Sequence, residues 1–210
     1  ALAEFVRAVV GDAEFAADLA AFVGPLVEAG RVTSLAQLLL KLTSPGVPDV
    51  YQGTELWDLS LVDPDNRRPV DYDLRRRLLD KVRAASAADV LAWDDPTTAA
   101  ESGEHGGPKL WLMHRALGVR DRIRPGAGYR PLAAGGSHAA NVVAFVRGED
   151  DAAVVVPRLV LGLRDGWGDT SVDLPGGRWT DALGGAGVEG GAIALSDLLS
   201  GFPVALLVRN

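Results

Sequence analysis

Apolar side chains open the chain at helical spacing. In residues 2–10 (LAEFVRAVV), Leu2, Phe5, Val6, Val9 and Val10 share one face, and Gly11 ends the run. Asp12 is a good N-cap for a second helix, with Phe15, Leu19, Phe22, Val23, Leu26 and Val27 on one side. Pro25 predicts a break or kink there, and Gly30 predicts its end. A third helix over residues 33–42 is apolar nearly all round, which suits burial between layers. Pro45-Gly46 stops it. Residues 47–51 (VPDVY) are short, β-branched and aromatic, and predict a buried strand from which Gln52-Gly53-Thr54 turns away. A helix running into a buried strand through a tight turn is the repeating unit of α/β folds, where chemistry collects at the carboxyl ends of strands.

Beyond that loop, Asp71 can cap a basic helix (YDLRRRLLDKVRAA) whose Leu74, Leu78, Leu79 and Val82 form an apolar side. Its arginines, Arg75, Arg76, Arg77 and Arg83, point elsewhere, the usual sign of a solvated face. Residues 86–107 are rich in Ala, Asp, Gly, Pro, Ser and Thr and predict a loop or insertion. A further helix over 109–123 ends at Arg124-Pro125-Gly126. From Tyr129 the pattern changes to short strand-like runs at 141–147, 152–157, 170–174, 178–183, 192–198 and 203–208, separated by Gly- and Asp-rich turns. The spacing predicts an antiparallel β-sandwich of about 80 residues. The fold class is therefore α/β followed by all-β, with one unit over 1–126 and a second over 127–210.

Composition narrows the chemistry. The chain has 210 residues and a net charge of −7, which argues against a general nucleic-acid surface. It has no cysteine, so disulfides, thiolate metal sites and cysteine nucleophiles are excluded. No window reaches the roughly 18 apolar residues of a membrane helix, and no signal pattern opens the chain, so neither membrane nor export is expected. The expected location is the cytoplasm. His114 has no second His or acid at ligand spacing, and no metal or cofactor is expected. The GGAGVEGG stretch at 184–191 fails the nucleotide-loop pattern on context and signals a hairpin or loop. Trp167 and Trp179 offer aromatic faces to a sugar, against the commoner role of such residues as packing.

Residues 43–72 (TSPGVPDVYQGTELWDLSLVDPDNRRPVDY) are where turn residues, aromatics, acids and arginines concentrate. Sugar hydroxyls favour planar, bidentate or charged partners, and Gln52, Asp63, Asp65, Asn66, Arg67 and Arg68 supply them. Tyr51 and Trp57 can cover an apolar sugar face. The competing structural reading has Asp63 paired with Arg67 or Arg68 to brace the loop, with Tyr51 and Trp57 in a core.

The run LLLKLTSPGVPDVYQGTELWDLSLVDPDNRRPVDY resembles the end of the catalytic barrel in the maltooligosyltrehalose synthase family, within the α-amylase superfamily (glycoside hydrolase family 13). GVPDVYQGTE is similar to the superfamily's eighth-strand signature, and DPDNRRP to the motif that follows that strand. KLWLMHRALGVRDRIRP and GYRPL resemble the last barrel helix and the entry to domain C. PRLVLGL, GWGDTSVDLPGGRW and PVALLV resemble domain C itself. The resemblance implies the C-terminal end of a TIM-type (β/α)8 barrel followed by a β-sandwich domain C. It implies a maltooligosaccharide substrate, whose reducing-end α-1,4 bond is converted to an α,α-1,1 linkage by intramolecular transglycosylation. In that family the three catalytic acids lie on earlier strands. His105, His114 and His138 all follow the signature, and nothing resembles the superfamily's His-Asp region. No catalytic residue is therefore expected here, Glu55 included, and the N-terminal catalytic part of the same enzyme is the expected partner. Another hydrolase or transglycosylase of the superfamily, or a non-catalytic carbohydrate-binding module, is the alternative.

Overall fold

The computed structural model describes residues 1–60, 67–93, 106–123, 126–163 and 165–210. Helix α1 spans Leu2–Gly11 and α2 spans Ala13–Thr43. Asp12 caps α2 as its position predicts, its carboxylate accepting from the Phe15 N–H at 2.8 Å. The expected break inside this region does not occur. Pro25 and Gly30 both lie within one continuous 31-residue helix. Proline removes one N–H and glycine weakens propensity, but fewer than the many remaining i→i−4 bonds are lost, and that part of α2 is exposed where water can satisfy the freed carbonyl.

The second half of α2 does go into the core, through Leu35, Ala36, Leu38, Leu39 and Leu42. Helix α5 (Gly107–Gly118) packs on α2, and α3 (Tyr72–Arg83) and α4 (Ala87–Trp93) pack on α5, all joining one core. Asp71 caps α3 through the Leu74 N–H at 2.8 Å. The stretch expected to be loop from 86 onward thus contains α4, which places Val90 in the core; an apolar Val90, Leu91 and Trp93 at helical spacing outweighed the small polar composition around them. In α5 Trp111 is fully buried, meets the Phe202 ring in a tilted contact at 5.0 Å between centroids and donates to the Ala85 carbonyl at 3.2 Å.

The rest is one antiparallel sheet: β1 (Tyr129–Pro131), β2 (Ala134–Gly135), β3 (Val142–Arg147), β4 (Ala152–Pro157), β5 (Ser171–Asp181), β6 (Gly187–Ala194) and β7 (Ala205–Arg209). Its order is β1-β3-β4-β7-β5-β2, with β6 on the other side of β5. The two separate sheets of a sandwich are not seen. A bulge between Leu174 and Arg178 lets a single long β5 pair with β6 on one edge and with β7 and β2 on the other. The runs expected at 170–174 and 178–183 are therefore one strand, and 195–198 is a helical turn. Alternation along β4 serves both faces: Ala152, Val154 and Val156 meet the helices, while Ala153 and Val155 join Val172, Leu174, Trp179 and Leu207 in a second core.

The predicted strand at 47–51 is absent: these residues carry no ladder, and Val47 is 84% exposed. A strand exists only against a neighbour, and every strand pair among the described residues is antiparallel and lies after Tyr129. The barrel-end architecture is correspondingly not seen. One further expectation changes. By length and composition α2 is long and apolar enough to cross a membrane, its most apolar window having a mean hydropathy of 1.2 with 11% of it buried.

Candidate functional site

The loop after α2 is held by cations from α3 and α5. Arg75 donates through Nε to Glu55 Oε2 at 2.9 Å and through Nη2 to the Gly53 carbonyl at 2.6 Å. Its Nη1 donates to the Asp71 carbonyl at 3.1 Å. Tyr72 Oη bonds Gln52 Oε1 at 3.1 Å, and the Thr54 hydroxyl donates to the Tyr51 carbonyl at 2.7 Å. Gly53 has φ +90°, and a Cβ there would lie 3.2 Å from Val70 Cγ2, so the two limbs of the loop approach closely.

Lys109, in the first turn of α5, donates to the Leu56 carbonyl at 3.1 Å and stands 6.0 Å from the centre of the Trp57 ring. Burial pushes its ammonium below the ordinary value; Asp58 draws it back, Lys41 adds to the depression and Glu55 opposes it. Asp58 is held below the usual carboxylate range by the hydroxyl and N–H of Ser60, the latter at 2.9 Å. Just before α5, Gly106 has φ +95°, and a Cβ there would fall 2.5 Å from the Trp57 nitrogen. Only a glycine lets α5 start against this loop.

Of the residues expected to meet a sugar, Tyr51 and Gln52 are exposed at the turn, and Trp57 is half-buried beneath Lys109. Arg67 and Arg68 are exposed. Asp63, Asp65 and Asn66 lie outside the described residues. The structure joins Gln52 to Tyr72. A small cleft of about 110 Å³ beside the start of the loop is lined by Ser34, Gln37, Leu38, Lys41, Val50, Thr54 and Lys109. Glu55 has a structural partner in Arg75. Arg75 and Lys109 were not legible as loop residues: one sits in a run of arginines, the other at the edge of a small polar stretch. Trp179 is fully buried with its Nε1 donating to Pro175 O at 3.0 Å, so it offers no sugar platform; Trp167 is half-buried against the second core. Among the described residues no three His, Asp or Glu side chains come together as a metal site.

No protein-family model matches the chain. Its likeness is to trehalose-forming synthases. A Mycobacterium tuberculosis protein provisionally named maltooligosyl trehalose synthase is 43% identical over 204 residues, 95% of this chain and 23% of that protein. The solved maltooligosyltrehalose synthase of Arthrobacter ramosus superposes with a TM-score of 0.81 at 40% identity, over 98% of this chain and 25% of that one. A point mutant of the same enzyme gives 0.83 over 99% and 26%. A glycosyltrehalose synthase gives 0.72 at 26% identity. By sequence and structure, then, this chain is similar to a C-terminal portion of maltooligosyltrehalose synthase, and it spans about a quarter of the length of the relatives it matches.

Proposed function

We propose that this chain is part of a (1→4)-α-D-glucan 1-α-D-glucosylmutase, an isomerase working by intramolecular transglycosylation on maltooligosaccharides. In this reading residues 1–126 complete a (β/α)8 barrel, with 47–51 as its last strand once an upstream strand lies beside it. Residues 127–210 form domain C. The enzyme works in the cytoplasm, and the catalytic acids are supplied by the upstream portion. The α-1,4 bond to the reducing-end glucose is broken through a covalent glycosyl-enzyme, and the released glucose turns and attacks with its anomeric hydroxyl. That requires a pocket that holds one glucose and excludes water. Tyr51, Gln52, Trp57, Asp63, Asp65, Asn66, Arg67 and Arg68 provide one wall of it.

One observation carries the reading beyond similarity. The apolar face of α1 and the first half of α2 is uncovered: Leu2 is 77% exposed, Phe5 66% and Phe22 72%, in the same helix whose end enters the core. Such a face needs a protein layer against it. The test is reconstitution. Maltopentaose should be untouched by this chain alone and converted to a non-reducing product when the upstream portion is present with it. Conversion by this chain alone, or only hydrolysis by the pair, would overturn the proposal.

A further inference from the structure

We propose that Arg75 is a positioning residue for the glucose subsite, clasping residues 53–55 to the start of α3 so that Tyr51 and Gln52 keep a fixed register with Arg67 and Arg68, which lead into that helix. This rests on the trehalose-forming reading above.

Three arginines of α3 behave differently. Arg76 pairs with Asp73 at 2.7 Å and Arg83 with Asp80 at 3.0 Å, both within the helix and well exposed. Such pairs contribute little and fix nothing outside the helix. Arg75 turns off the helix. Its side chain is 18% exposed and that of Glu55 25%. The planar fork places one donor on the Glu55 carboxylate, one on the Gly53 carbonyl and one on the Asp71 carbonyl. Gly53 and Glu55 lie before residues 67 and 68, and Asp71 after them, so one guanidinium holds both limbs. The Tyr72–Gln52 hydrogen bond and the Gly53–Val70 approach close the same clasp. A lysine carries its three donors on one nitrogen at the end of a flexible stem and cannot reproduce the reach of Nε, Nη1 and Nη2 to three separate acceptors.

Geometry of this kind matters more for this reaction than for hydrolysis. Hydrolysis needs only that water reach the glycosyl-enzyme, while isomerisation needs the freed glucose retained and reoriented. An opened clasp displaces Tyr51 and Gln52 relative to Arg67 and Arg68, and water then competes with the glucose. Small misplacements of positioning groups have large rate effects.

The experiment uses the full-length enzyme and maltopentaose, measuring non-reducing product against released glucose for the wild type and for R75K, R75M, E55Q and the R75M/E55Q double variant. The expected result is a glucose-to-isomer ratio raised about tenfold in R75M and R75K. E55Q should shift it less, and the double variant should match R75M, since the two side chains act as one unit. Thermal unfolding of each variant checks that it folds; if R75M does not, R75K and E55Q decide. An unchanged ratio overturns the inference, even where total activity or stability falls, because that is what a merely structural ion pair would give. A full-length wild type that forms no non-reducing product would instead sink the trehalose-forming reading itself.

Discussion

Arg147, in β3, donates from its guanidinium to the main-chain carbonyl of Thr43, the last residue of α2. The two are far apart in sequence, and both are buried. Arg147 also donates through Nε to Gly128 O at 3.1 Å and through Nη2 to Ala127 O at 3.3 Å. Arg120 takes the neighbouring Leu42 carbonyl at 3.2 Å. Two arginines from beyond residue 118 thus satisfy the carbonyls that end α2, where positive charge is favoured. The connection ties the helix that leads into the candidate site to the sheet.

Replacing Arg147 by methionine should therefore destabilise the chain by about 2 kcal/mol, because the buried Thr43 carbonyl and the half-buried Ala127 carbonyl lose their side-chain donor, while Gly128 O keeps the Gly148 N–H at 2.9 Å. Urea unfolding of the two proteins measures this. Lysine at 147 should recover only part of the loss, since it lacks the fork.

Gly106→Ala should cost about 2 kcal/mol or more. The backbone there has φ +95°, and the added Cβ would meet the Trp57 nitrogen and Leu56 Cα. Neither of those is a flexible side-chain end that can move aside. A lowered unfolding midpoint, with the Lys109–Leu56 contact weakened in hydrogen exchange at the loop, is the expected result.

Asp181 gives a pH signature. Burial raises its carboxyl above the ordinary value of 3.8, against the N–H groups of Leu183, Gly184 and Leu206 and the charge of Arg115, which act to lower it. The native state therefore binds more protons than the unfolded chain just above that value. Its contribution is complete below the unfolded value and is lost as pH rises through the folded one. Asp58 and Asp169 have the opposite sign. Hydrogen bonds from Ser60 and Ser137 lower them, so their contribution is present above 3.8 and lost as pH falls through their folded values. Asp181→Asn should remove the decline on the alkaline side of 3.8 and leave the acid-side loss in place, read from unfolding midpoints across pH. At low pH it should cost on the order of 1 kcal/mol, because the amide can accept from Leu183 but not from both N–H groups.

Phe22→Asp should have no cost to the folding of this chain, since Phe22 is 72% exposed. It should increase solubility and, on the reading proposed above, prevent association with the upstream portion. Size-exclusion chromatography of the mixture checks both outcomes. Retained association would place the covered face elsewhere.

The helical spacing of Phe15 to Val27, the Asp12 and Asp71 caps, and the short apolar runs of β3, β4 and β7 were legible in the sequence because they are local: each is set by side chains a few residues apart. So was the concentration of turn and polar residues over 43–72, and the resemblance it carries. Other features depended on distant partners. Whether Pro25 breaks a helix depends on what stands around it, and whether VPDVY forms a strand depends on a neighbour that no local pattern supplies. The division of α3's arginines into surface pairs and one clasp was set by Glu55 and Gly53, some twenty residues away. The single hydrogen-bonded sheet depended on a bulge in β5 that lets one strand pair with β6 on one edge and with β7 and β2 on the other. Sequence by itself determined which segments could be helix or strand and what family the 43–72 motif resembles. Tertiary structure decided which polar groups meet, because a carbonyl, a guanidinium and a carboxylate carry no address until the backbone brings them within hydrogen-bond reach.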